Sequence, residues 1–234
     1  MSDAGGGPTT TSGAGGGGEE RSGLRGALDI PGLYQASQRA LGAMRSKRRL
    51  VSEDIRPAPG MRLLDAGCGP GRLLEVLPHG VVYVGVDLSP AYVAAARARY
   101  GSRATFLCRR VEDLEPDELG AQPFDLVLAA GLLHHLDDAQ AGRLFARAQR
   151  LLGPQGRVVT LDPCRLPRQA LLARLLMAAD RGRRIRTPEA YRALAASSFS
   201  AVEVRVDRNR LAIAGNWPLP YDHCVTTSRA ESQR

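Results

Sequence analysis

The sequence predicts a single α/β domain on a mostly parallel sheet of seven strands, with an antiparallel strand at its C-terminal end and helices on both faces. Three observations predict it. Short apolar runs recur between stretches with helical spacing from Met61 onward, a pattern that βαβ units produce. A glycine-rich turn, Gly67-Cys-Gly-Pro-Gly71, stands where the first run meets the first helical stretch. The second run ends in an acid, Asp87, about twenty residues further on.

The elements follow in order. Residues Met1 to Gly23 are rich in Gly, Ser and Thr and have no apolar periodicity. Such a segment buries too little surface to offset its ordering entropy, so a disordered tail is expected there. The domain is expected over 24–228, followed by a flexible end at 229–234. Leu33 to Met44 has helical spacing and leads into a long basic helix that Pro57 and Pro59 stop. Strands are predicted at Arg62–Ala66, Val81–Asp87, Ala104–Leu107, Phe124–Ala130 and Gly156–Leu161. Helices are predicted near Gly71–Leu77, Pro90–Tyr100, Asp138–Leu152, Arg168–Asp180 and Pro188–Ala196. Ala201–Val206 and Leu211–Ala214, joined by the polar turn 207–210, read as an antiparallel hairpin that closes the sheet.

Composition narrows the function. A chain of 234 residues with 44% hydrophobic residues carries one sizeable core. The net charge of +8 favours anionic partners, but the arginines are spread over helical stretches as solvated faces, which disfavours nucleic acid. Cys68, Cys108, Cys164 and Cys224 lie far apart, so neither a zinc site nor a disulfide scaffold is expected. No apolar run approaches the ~20 residues needed to span a bilayer, and the N-terminus lacks a signal-peptide pattern. A cytoplasmic protein without membrane insertion is the expectation. The apolar stretch Leu171–Met177 reads as core or lid packing, and the basic turn after it, 180–186, as a place for an anionic group or a favourable helix end.

Glycines at 67, 69 and 71 permit a sharp strand-to-helix turn and leave room for a ligand to lie on the loop. Asp87 can accept hydrogen bonds from both hydroxyls of an adenosine ribose. Two details argue against a dinucleotide: position 72 is Arg where a small residue is wanted, and Asp65 would repel a pyrophosphate. The same carboxylate suits a ligand that carries an ammonium group and a sulfonium.

The run LDAGCGPG, followed by GVDLSP, FDLVLAAGLLHHL and GPQGRVVTLDP, resembles the class I S-adenosylmethionine-dependent methyltransferase family over Met61 to Pro163. The resemblance implies a Rossmann-like fold with S-adenosylmethionine as cofactor and a small molecule as methyl acceptor. It also implies roles. Asp65, Gly67, Cys68, Gly69 and Gly71 would surround the methionine end, Asp87 the ribose, Leu88 the adenine, and Ala130 the side near the reactive centre. One departure stands out: where the family has an acid for the adenine amino group, this chain has Arg110, which offers no acceptor. Glu112, Asp113 or the backbone of Val111 then take that role, or the cofactor binds more weakly.

In an open α/β sheet the ligand crevice lies beyond the carboxyl ends of the strands. His134 and His135, just after the fourth run, are therefore candidate general bases, with helix capping or packing against the sheet as the alternative. Asp162, at the end of the fifth run, faces a substrate or starts a turn; His223 reaches the crevice mouth or lies on the surface. Tyr34 and Gln38 belong to a helix expected to form a lid. No metal site is expected. Three rival functions remain: an RNA methyltransferase, a non-catalytic S-adenosylmethionine binder, and a nicotinamide-dependent oxidoreductase. The absence of an Asn/Asp-Pro-Pro-aromatic stretch after the fourth run disfavours amino-directed base methylation, and Cys164 in Asp-Pro-Cys reads as structural.

Overall fold

The computed structural model describes residues 43–229, apart from 121, 179, 181–183, 209–211, 214–216 and 219–220. The expected tail, the lid helix with Tyr34 and Gln38, and residues 230–234 lie outside the described residues. The main sheet has seven strands: β1 (Arg62–Ala66), β2 (Val82–Asp87), β3 (Thr105–Cys108), β4 (Phe124–Ala130), β5 (Leu152–Pro163), β6 (Ala201–Asp207) and β7 (His223–Arg229). Their order is β3-β2-β1-β4-β5-β7-β6. Strands β1 to β5 are mutually parallel, and β7 runs antiparallel to both of its neighbours. The order reverses between β1 and β4, so their C-terminal ends flank the crevice that such a reversal opens.

Because helices cover both faces, the central strands are apolar at successive positions rather than alternately. Leu63 and Leu64 are adjacent in β1 and both fully buried. Leu64 joins Val84, Val127 and Val158 under α3 (Asp138–Leu151) and α5 (Pro188–Ala196), through Leu144, Phe145 and Tyr191. Leu63 joins Tyr83, Leu126 and Val159 on the other face, under α2 (Pro90–Tyr100), through Val93 and Ala96.

The helices start where the chain supplies caps. In α2, Ser89 accepts from the Tyr92 amide and Pro90 occupies the first turn, where a missing N–H costs nothing. In α5, Thr187 and Pro188 repeat that arrangement. Asp137 and Gln140 form a reciprocal capping box at α3.

Several expectations fail in detail. The helix expected after the glycine turn is a single 3₁₀ turn, Arg72–Glu75. The basic helix is α1 (Ala43–Arg49) followed by a π-helical turn, Leu50–Ile55, which ends at Arg56 in the left-handed region (φ 48°). The helix expected over 168–180 is α4 (Leu171–Ala178). It buries Ala173 and Met177 and leaves Leu171, Leu172 and Leu175 exposed, so it packs only in part.

The largest correction concerns the hairpin. Ala201–Asp207 does not pair with its sequence neighbour; Ala212–Ile213 forms a two-residue ladder with Trp217–Pro218 instead. The strand beside β6 is β7, in register from Ala201↔Arg229 to Asp207↔His223. Strand β7 inserts between β5 and β6, and its inward side chains include Thr226 and Ser228, both buried. A polar, β-branched run therefore holds the place that an apolar one was expected to fill.

Replacing Asp137 by Ala removes one acceptor from the α3 capping box. It is expected to lower unfolding free energy by about 1 kcal/mol, read as a lower urea midpoint with an unchanged slope.

Candidate active site

The glycine turn is shaped by backbone geometry and fixed by one carboxylate. Gly67, Gly69 and Gly71 all have positive φ (74°, 54° and 73°), a region that side chains oppose. The Gly67 and Cys68 amides donate to the Val86 carbonyl at 2.8 and 3.0 Å. The Gly69 amide donates to Asp87 Oδ2 at 2.9 Å, and the Ser89 amide donates to Asp87 Oδ1 at 2.8 Å. Asp87 thereby ties the turn after β1 to the exit of β2, and each oxygen keeps a further lone pair for a ligand. A Cβ at Gly69 would meet nothing within 4 Å, so the loop is open on that side. Beside it, Leu88 presents a 57% exposed apolar side chain.

Asp65 lies in the interior and is 5% exposed. It accepts from the Tyr83 hydroxyl at 2.5 Å. Burial pushes its carboxyl up to about 7, against the opposing effects of that hydrogen bond and of Lys47. Cys68 is half-buried, and burial raises its thiol well above the usual range. The Arg110 side chain stays on the surface, 3.7 Å from Glu112, while Val111 is buried in the core.

The crevice's other wall is the exit of β4. Leu132 packs over the turn, 3.2 Å from where a Cβ on Gly67 would sit. Beyond half-buried Ala130, Gly131 (φ 71°) bends the chain, and its amide donates to the Leu161 carbonyl at 2.7 Å. The bend delivers His134 to the end of β5. There its backbone amide and ring Nδ1 both meet Asp162 Oδ1, at 3.1 and 2.7 Å. A carboxylate on Nδ1 fixes the tautomer with the proton on that nitrogen, leaving Nε2 as the acceptor of the neutral ring. His134 is 6% exposed, and its Nε2 lies 3.6 Å from Asp180 Oδ1. His135 is exposed, with its ring centroid 4.1 Å from that of His134. Asp162 is 1% exposed, and its Oδ2 has no hydrogen-bond partner among the described residues.

Sequence reasoning missed two members of this cluster. Asp180 accepts from the Tyr221 hydroxyl at 2.5 Å, and Tyr221 packs against His223 with centroids 5.2 Å apart. His223 is buried rather than at the surface, and its Nδ1 lies 3.1 Å from the Tyr221 carbonyl. The one available signal was that Asp180 is the sole acid between Asp162 and Glu189. Arg186 was missed too. It donates to the Leu133 and Leu136 carbonyls at 2.8 and 2.7 Å and to Asp138 at 2.7 Å, clamping the His134 loop from outside. Cys164 is fully buried with its thiol pushed up to about 12 by burial, as suits a structural residue rather than a nucleophile.

Comparison with known proteins agrees with this geometry. Residues 63–156 match the family described as methyltransferase domain. A ubiquinone biosynthesis O-methyltransferase of Coxiella burnetii is 32% identical over 100 residues, which cover 42% of this chain and 42% of that protein. One from Bradyrhizobium sp. (strain ORS 278) is 36% identical over 104 residues, 43% of this chain and 39% of its own. The chain thus matches less than half the length of these curated relatives. Among solved structures, the pyocyanin biosynthetic protein PhzM superposes with a TM-score of 0.66 at 18% identity, over 88% of this chain and 60% of its own. A TehB-like SAM-dependent methyltransferase from Corynebacterium glutamicum gives 0.57 at 18% identity, over 89% of this chain and 100% of its own. Strand order, glycine turn and sequence match converge: residues 63–156 match the methyltransferase domain family, and the chain has a Rossmann-like methyltransferase fold.

Proposed function

We propose that the protein transfers a methyl group from S-adenosylmethionine to a hydroxyl of a small-molecule acceptor, with His134 as general base. The observation that carries this reading is the contact between two half-sites. The turn held by Asp87 meets Leu132 at Gly67, and two residues further on His134 is clasped by Asp162. The open side of Gly69, the remaining lone pairs of Asp87 and the apolar surface of Leu88 suit a nucleoside. S-adenosylmethionine, when bound, supplies a methyl group on a positively charged sulfur.

The residues of the chain then act by alignment and proton transfer. Asp87 receives the ribose hydroxyls while it keeps the turn in shape. The Arg110 side chain takes no part in adenine recognition, which falls to the backbone around Val111. Asp162 orients the His134 ring through Nδ1, and Nε2 takes the proton of the acceptor hydroxyl. Asp180 stands near the same nitrogen. The O-methyltransferase names of the curated relatives support oxygen as the methylated atom.

Isothermal titration tests the cofactor. Wild-type protein is expected to bind S-adenosylmethionine, and Asp87→Ala to weaken binding by about 1–3 kcal/mol. Capture of a nicotinamide dinucleotide in place of the nucleoside overturns the assignment.

For the base, His134→Ala is expected to lower kcat by about 10²–10⁴-fold on any acceptor that supports turnover. His135→Ala should leave kcat within about threefold, because its ring is exposed and Asp162 clasps His134 instead. Equal effects of the two substitutions would sink the assignment.

The Asp65 carboxyl, held near 7 by burial, is expected to give cofactor affinity a pH dependence. Its ionised form attracts an ammonium group, so affinity should strengthen as pH rises from about 6 to 8, and Asp65→Asn should flatten that rise. The sign for stability is opposite. A raised carboxyl pKa favours folding at low pH, and that contribution is lost as pH climbs from about 4 through 7. Titrations and urea melts of the two proteins across this range check both signs.

A further inference from the structure

Helix α4 presents an apolar face to solvent. Leu171, Leu172 and Leu175 are 70%, 51% and 59% exposed, and among the described residues only two other large apolar side chains, Val82 and Leu88, are exposed. Leu175 stands one turn from Leu171 and Leu172, so the three leucines share one side of the helix, while Ala173 and Met177 hold the opposite side against the protein. Isolated exposed leucines are ordinary, but a contiguous group at helical spacing is the mark of an interaction surface. Nothing in the site described above uses these three side chains.

The sequence flanking this face is one-sided in charge. From Pro163 to Pro188 the chain carries seven arginines (165, 168, 174, 181, 183, 184 and 186), of which Arg186 is taken up by the His134 loop, and one acid, Asp180. That acid is turned inward to the Tyr221 hydroxyl and His134 Nε2. Arg165, Arg168, Arg174 and Arg184 are exposed. Leucines on the outer side of a helix with arginines at its flanks make an amphipathic basic element, which suits the boundary between lipid acyl chains and anionic headgroups. At eight residues α4 is about 12 Å long, far short of a bilayer, and no described helix is long and apolar enough to cross one. The geometry therefore fits a helix lying in the interface rather than spanning it.

We infer that α4 and its flanking arginines form a docking face for an anionic lipid surface. Leu171, Leu172 and Leu175 enter the headgroup boundary, and Arg165, Arg168 and Arg174 meet lipid phosphates. The inference does not depend on methyl transfer. If that transfer takes place at His134, docking also sets the crevice against the membrane, because Asp180, two residues beyond the end of α4, reaches the same histidine.

Co-sedimentation of the full chain with vesicles tests it. The protein is expected to pellet with vesicles of equal parts phosphatidylglycerol and phosphatidylcholine, and to stay in the supernatant with phosphatidylcholine alone. Leu171→Asp with Leu175→Asp should weaken binding about tenfold or more at an unchanged thermal midpoint. Leu171→Ser with Leu175→Ser serves as the milder pair should the first lose its fold. Arg168→Glu with Arg174→Glu should weaken binding by about tenfold as well, and added salt should weaken that of the wild type. Wild-type protein that ignores anionic vesicles overturns the inference, as does undiminished binding by a folded leucine variant. Light scattering supplies the remaining arm: a wild-type dimer that the leucine variant splits, with no vesicle binding by either protein, assigns the face to a second copy of the chain and overturns the lipid assignment.

Discussion

The clasp between Asp87 and the glycine turn is the constraint from which the rest of the site follows. Three residues with positive φ in a stretch of five make a loop that would sample many shapes if left alone. Two amides pinned to Val86 and one to Asp87 leave it a single shape. Because the Asp87 carboxylate is also held by Ser89, the first turn of α2, the end of β2 and the loop after β1 form one rigid unit. This wall of the crevice is thus held by the chain's own hydrogen bonds.

The opposite wall obeys a similar logic with different parts. Asp162 takes both the backbone amide and the ring of His134, so one buried carboxylate sets the loop's path and the ring's orientation together. Arg186 grips two carbonyls of the same loop from the other side. The histidine ring is fixed by contacts from β5 and from the segment before α5, two parts of the chain distant in sequence. Outer support of this kind holds a side chain to within about half an ångström.

The sequence made some of this legible and concealed the rest, for definable reasons. Strands β1, β2 and β4 are buried on both faces and therefore spell themselves as apolar runs, and glycines in a turn and an acid at a strand end are local signals. Strand β7 was not legible because its inward positions include Thr226, Ser228 and His223, whose hydrogen-bonding groups make a buried strand look like a loop. The hairpin expected in its place follows from the preference of consecutive strands to pair, which a crossing strand overrides here. Asp180 and Tyr221 escaped notice because their meeting joins positions 41 residues apart, with no periodicity to announce it. The outer side of α4 misled for the opposite reason: leucines at helical spacing read as core, and only the fold shows that the core is on the other side.

The insertion of β7 between β5 and β6 bears on how the protein is made. During synthesis β6 leaves the ribosome before the strand that, among the described residues, provides its one ladder in the main sheet, and β5 likewise waits for a partner on one edge. Until His223–Arg229 emerges, the nascent chain displays two unpaired edges with a strand-wide gap between them, a state open to mispairing with other chains. Completion of the sheet is therefore a late, long-range event.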